Sequence, residues 1–151
     1  MKASSFLQLL KRKKNKKTTA NTQNTPIKSG KGRILIIDDS PSLTQQIKTM
    51  LERNGYETST AGNGKEGLKK VKILKPDAVL LDIVMPDMNG FQVARQITTG
   101  ASTSHIPVIM VSTKGMPTDK LWAKRQGASD YITKPVTESE LMEKLSKHLK
   151  K

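Results

Sequence analysis

Four short stretches of this chain carry side chains that can do chemistry, and each closes or follows an apolar run. Asp38-Asp39 follows Ile34-Leu35-Ile36-Ile37, and Asp82 follows Ala78-Val79-Leu80-Leu81. Ser112-Thr113 closes Pro107-Val108-Ile109-Met110-Val111, and Lys134-Pro135 follows Asp130-Tyr131-Ile132-Thr133. A continuous β-branched apolar run marks a strand buried on both faces, so the polar groups stand at strand ends. Three carboxylates gathered at one partly desolvated edge repel one another. A hard divalent cation with oxygen ligands relieves this, and Mg2+ suits a site of few carboxylates that leaves room for phosphate oxygens. Lys134 can take one phosphoryl oxygen as a point charge, and Ser112 can donate a hydrogen bond to another. Singly, each group has a plainer reading: Asp38-Asp39-Ser40 as a helix cap, Asp82 as a turn residue, Lys134-Pro135 as a loop. Their joint placement argues for a site.

The elements that would position these groups are legible between them. Ser40-Pro41 reads as an N-cap with proline at the first helical position. Leu43, Ile47, Met50 and Leu51 follow at helical spacing until Asn54-Gly55 stops the helix. Tyr56 to Ala61 is a weaker strand. Gly64 to Leu74 is helical, with Leu68, Val71 and Ile73 apolar. Gly90 to Thr99 is a third helix, with Phe91, Val93, Ala94 and Ile97. Thr118 to Gln126 is a fourth, ended by Gly127. Thr137 with Glu140 forms a capping box that opens the fifth, where Leu141, Leu145 and Leu149 repeat. Five strands alternating with five helices predict an α/β, doubly wound (βα)5 fold with a five-stranded parallel sheet covered on both faces. Sites in such sheets form beyond the carboxyl ends of the strands, at the switch point in strand order.

Residues 33–151 resemble the CheY-type receiver domain of bacterial response regulators, a flavodoxin-like fold. The likeness is carried by Ile36-Ile37-Asp38-Asp39-Ser40, by Leu81-Asp82-Ile83-Val84-Met85-Pro86-Asp87-Met88-Asn89-Gly90, by Met110-Val111-Ser112-Thr113, and by Gly127 to Pro135. Asp38-Asp39-Ser40-Pro41, Gly90-Phe91-Gln92 and Thr118 to Ala128 are most similar to the PilH-type stand-alone regulators of type IV pilus twitching motility. The resemblance implies that Asp82 accepts a phosphoryl group from a histidine kinase. It implies Mg2+ bound directly by Asp39, supported by Asp38, with Asp82 and the backbone carbonyl of Val84 among its ligands. Lys134 would hold the phosphoryl group, its bond to Pro135 being cis, and Ser112 and Tyr131 would form the switch pair. Output to a protein effector would pass through the surface of the fourth helix, fifth strand and fifth helix. Thr113 offers a second hydroxyl beside Ser112. Val84 and Lys114, two residues past Asp82 and Ser112, depart from better-known relatives at positions bordering the path of hydrolytic water.

Other functions fit less well. A phosphatase of the haloacid dehalogenase type needs a second Asp two positions past the nucleophile, where Val84 stands. No GxxxxGK phosphate loop is present. The expectation is therefore a phosphoacceptor rather than an enzyme, with a phosphate sink or relay intermediate as the alternative. The last helix ends near Lys151, which points to no output module of its own. Trp122 reads first as a partly buried packing residue of the fourth helix and second as a partner anchor. His105 and His148 read as surface residues.

The basic character is uneven. Residues 1–32 hold nine Lys and Arg and no acidic residue, a charge of +9 out of +14 overall. They read as a disordered basic arm and linker before the receiver. Within residues 1–17, Phe6, Leu7, Leu9 and Leu10 precede the basic block Lys11 to Lys17. That pairing favours an anionic membrane surface over nucleic acid as the arm's partner, with a solubilising tail as the plain alternative. There is no cysteine and no apolar run of the ~20 residues a spanning helix needs. The expected location is the cytoplasm, peripheral to the inner membrane where the arm engages it.

Overall fold

The computed structural model describes residues 30–149. The expectations for the arm, including membrane or nucleic-acid contact through residues 1–17, lie outside the described residues. From Gly32 the elements alternate without interruption: β1 (Gly32–Ile37), α1 (Pro41–Arg53), β2 (Tyr56–Ala61), α2 (Gly64–Leu74), β3 (Ala78–Leu81), α3 (Gly90–Thr99), β4 (Val108–Ser112), α4 (Pro117–Arg125), β5 (Asp130–Thr133) and α5 (Glu138–His148). The strands form one parallel sheet in the order β2-β1-β3-β4-β5. This is the flavodoxin-like doubly wound order, with its switch point between β1 and β3. No helix of the described residues is long and apolar enough to cross a membrane.

Alternation along β1 sorts the core into two layers. Leu35 and Ile37 join Val71, Val93, Ala94, Ile97 and Ala123 on the face covered by α2, α3 and α4. Ile34 and Ile36 join Ile47, Leu51, Leu141 and Leu145 on the face covered by α1 and α5. A two-residue side-chain period puts neighbouring strand residues on opposite faces, which is why an unbroken apolar run is needed. Ile73 departs from the sequence reading. It is 70% exposed, because two positions past Val71 lies roughly 200° around the helix, off the apolar face.

The helix ends also differ in detail. Ser40 caps α1, and Thr137 accepts from the Glu140 N–H, but no return bond from the Glu140 side chain completes the expected box. The reciprocal box is instead at α3, between Asn89 and Gln92. Lys75 closes α2 in the left-handed region at φ 48°, a position that glycine usually fills.

Near the end of the chain, Asp130 locks α5 onto β5. Its carboxylate accepts from Lys144 at 2.8 Å and meets His148 Nε2 at 2.9 Å. His148 is thereby half-buried rather than the surface residue expected; His105 is exposed. Burial would raise the Asp130 pKa, but hydrogen bonds from Lys144, His148 and the Tyr131 N–H outweigh it and hold it at about 2. A depressed carboxylate pKa gives stability that is present above the unfolded value and lost as pH falls through the folded one. Asp130→Ala is therefore expected to cost on the order of 2 kcal/mol at neutral pH. The difference from wild type should fade between about pH 4 and pH 2. Urea unfolding across a pH series checks this, and a deficit independent of pH would contradict it.

Candidate functional site

At the carboxyl edge of the sheet, β1 delivers Asp38 and Asp39, and β3 delivers Asp82. The strands themselves fix the two backbones: Asp38 N donates to Ala61 O and Asp82 N to Ile37 O, both at 3.0 Å. Asp38 and Asp82 are buried, at 5% and 6% exposure, while Asp39 is exposed. One carboxylate oxygen from each of the three lies within 4.8 Å of the others. Asp38 Oδ1 accepts from the Ser40 N–H at 2.8 Å, so the cap reading and the site reading hold together. Lys134 Nζ stands 3.2 Å from Asp38 Oδ2 and 3.5 Å from Asp82 Oδ1. Its backbone N donates to Ser112 O at 2.8 Å, and the Lys134–Pro135 bond is cis.

Burial, and then the neighbouring Asp38 charge, push the Asp82 carboxyl above its ordinary range, partly opposed by Lys134 and the Ile83 N–H. The Ile83 and Lys134 contacts both use Oδ1, the former at 2.8 Å. The strand-end loop is held tightly behind this carboxylate. Gly90 N donates to Ile83 O at 2.7 Å, and a Cβ at Gly90 would lie 2.1 Å from Asp82 O. Only glycine permits that approach. Gly90 reads from sequence as a helix start and as the last residue of the stretch that carries the receiver resemblance, and neither reading shows this close approach.

The remaining residues divide. Ser112 is buried at the end of β4, with its Oγ accepting from Lys114 N at 3.2 Å. Thr113 is exposed beside it. Tyr131 is buried in the α2–α3–α4 layer, and its hydroxyl donates to the Lys114 carbonyl; burial pushes its pKa up. Val84 has an exposed side chain, so it offers the site only its backbone. Trp122 is 53% exposed, with the Arg125 guanidinium 5.6 Å from its ring centroid. The indole is thus more exposed than the partly buried packing residue first read, which leaves the partner-anchor alternative open. Ala123 alone of α4 is buried, since its neighbour projects about 100° away around the helix.

The sequence profile of the response regulator receiver domain matches residues 34–146. The chain belongs to the response regulator receiver family. It is 53% identical to Protein PilH of Pseudomonas aeruginosa over 114 residues, covering 76% of this chain and 94% of that protein. A CheY-like receiver domain protein from Methanospirillum hungatei superposes with a TM-score of 0.72 at 32% identity, covering 78% of this chain and 92% of that one. The chemotaxis protein CheY4 of Vibrio cholerae superposes with a TM-score of 0.72 at 30% identity, covering 76% and 96%. Receivers of this family bind Mg2+ at an acidic cluster, and the donors here fit it. They are hard carboxylate oxygens, two of them buried and one open to solvent, as suits a cation that keeps part of its water shell.

Proposed function

We propose that the protein is a stand-alone response regulator in which residues 33–151 form the receiver and Asp82 takes the phosphoryl group of a histidine kinase. The observation that carries this is the gathering of three strand-end carboxylates, the two buried ones paired with Lys134. In the transfer, an Asp82 oxygen attacks phosphorus while the bond from phosphorus to the kinase imidazole nitrogen breaks. Phosphoryl transfer needs in-line positioning and charge neutralisation more than covalent machinery. Asp38, Asp39, Asp82 and the Val84 carbonyl would hold Mg2+, which supplies neutralisation of the phosphoryl oxygens. Lys134 takes another of those oxygens. Ser112, buried beside the site, donates to the new group, and Tyr131 carries the change to the α4–β5–α5 face. The exposed apolar side chains of Met116, Leu121 and Trp122 on and before α4 support an effector surface there. The likeness to PilH supports a role in twitching motility.

The test is phosphotransfer from candidate histidine kinases, with acetyl phosphate as a kinase-free donor. Asp39→Ala serves as the informative variant. Asp39 is exposed and makes none of the ion pairs found among the described residues, so its loss should leave the fold intact. Removing one of so few carboxylates should weaken Mg2+ binding at least about tenfold and slow phosphorylation in step. Calorimetric Mg2+ affinity equal to wild type would mean the cation sits elsewhere.

A further inference from the structure

We infer that Asp87 is a positioning residue for the phosphoacceptor loop, strapping it over β1 to the first turn of α2. This rests on the reading of Asp38, Asp39 and Asp82 as a cation site. Asp87 Oδ1 accepts from Gly64 N and Oδ2 from Lys65 N, each at 2.9 Å. These are two of the amides that a helix start leaves without partners. The helix does not depend on Asp87 for its own cap, because Asn63 takes the Glu66 N–H at 2.8 Å. Asp87 instead reaches across 23 residues of sequence to do it.

The topology shows what the reach accomplishes. β1 lies between β2 and β3, so the loops leaving β2 and β3 are not neighbours in the sheet. Ala61, at the end of β2, holds the Asp38 N–H, and Ile37, at the end of β1, holds the Asp82 N–H. Gly90 ties the far end of the β3 loop to Ile83. Asp87 closes these links into a ring that runs from Asp38 to Ala61, through Gly64 to Asp87, and back through Ile83 and Asp82 to Ile37. Val84 lies in the stretch between Ile83 and Asp87. The strap has an apolar side as well: a Cβ on Gly64 would stand 2.3 Å from Met88 Cγ, and Met88 packs against the core. Hydrogen bonds from the Lys65 and Gly64 amides hold the Asp87 carboxyl below its ordinary range, so it stays an acceptor at neutral pH. The Val84 carbonyl thus keeps its distance from the carboxylates through a residue that touches none of the site's ligands.

The experiment compares the full chain with Asp87→Ala, Asp87→Asn and Asp77→Ala. Asp77 makes a bond of the same kind, accepting from Arg33 N at 2.8 Å, but where β1 and β3 begin, at the opposite edge. Mg2+ affinity is read by calorimetry, and phosphorylation by acetyl phosphate is followed against Mg2+ concentration. Asp87→Ala should raise the Mg2+ dissociation constant and the half-saturating Mg2+ about three- to tenfold, less than the ~10–100-fold typical of partners that touch a ligand directly. The rate at saturating Mg2+ should stay near wild type. Asp87→Asn keeps one carbonyl acceptor and should recover part of the loss. Asp77→Ala should lower the Tm and leave Mg2+ affinity alone. Unchanged affinity in Asp87→Ala, or an equal loss in Asp77→Ala, would overturn the strap. Absence of Mg2+ binding by the wild-type protein would overturn the cation site, and the strap's purpose with it.

Discussion

Asp82→Asn is expected to abolish phosphorylation by acetyl phosphate and Mg2+ while making the metal-free protein harder to unfold. The first half follows from chemistry, since a neutral amide oxygen is no nucleophile toward phosphorus. The second follows from electrostatics. The folded state holds the Asp82 pKa above its ordinary value, through burial first and the Asp38 charge second. A raised carboxylate pKa is a cost to folding that is absent below the unfolded value near pH 4 and full above the folded one. Asn removes the charge and keeps an oxygen for the Ile83 N–H. The variant should therefore have the higher Tm at neutral pH, with the gap closing on acidification. Mg2+ should narrow the gap too, since a ligand of the folded wild-type protein stabilises it by mass action. A stable phosphoryl adduct of undiminished yield in the variant would sink Asp82 as acceptor. A variant less stable than wild type at pH 7 and equal to it at pH 4 would reverse the electrostatic argument.

That strain explains why the site was legible in the sequence. Carboxylates at the ends of buried apolar runs are costly, so a chain holds several together only where something offsets them. Ile34 to Ile37, Ala78 to Leu81 and Asp130 to Thr133 marked their own ends, and Asp38, Asp39, Asp82 and Lys134 could be placed from them without coordinates. The strand order itself follows only in part from alternation: helices between strands imply parallel pairing, while the position of β2 outside β1 is a choice between topologies that local pattern leaves open. What stayed hidden depends on contacts between residues distant in sequence. Asp87 sits in a loop where an acid is unremarkable, and its partners at Gly64 and Lys65 leave no trace in periodicity. His148 looked like surface because the carboxylate it meets, Asp130, lies on another element. Trp122 read as partly buried packing, yet α4 buries a single small residue and leaves the indole half-exposed.

Lys134→Ala is expected to separate the lysine's role from that of the cation. Lys134, with the Ile83 N–H, lowers the Asp82 pKa against burial and Asp38, and its own side chain is only 15% exposed. Removing one partner of a buried ion pair leaves charge uncompensated, a loss of about 3–5 kcal/mol. Here two buried carboxylates would be left facing each other, so without Mg2+ the variant should be destabilised toward that range at neutral pH. The sign is again that of a raised carboxylate pKa: the deficit should shrink as pH falls toward 4. Bound at the proposed site, Mg2+ would supply positive charge at the same carboxylates. Saturating Mg2+ should therefore stabilise Lys134→Ala more than it stabilises wild type, and Mg2+ affinity should be equal or tighter. Phosphorylation would still proceed, more slowly, but the phosphoryl group would lack the contact that links it to the end of β5. The Tyr131 side of the molecule should then no longer respond, as read by amide hydrogen exchange in α4 and β5 with and without phosphorylation. If the variant instead lost Mg2+ binding and kept its phosphorylation-dependent exchange pattern, Lys134 would belong to the cation site and the link from phosphoryl group to output face would run through another residue.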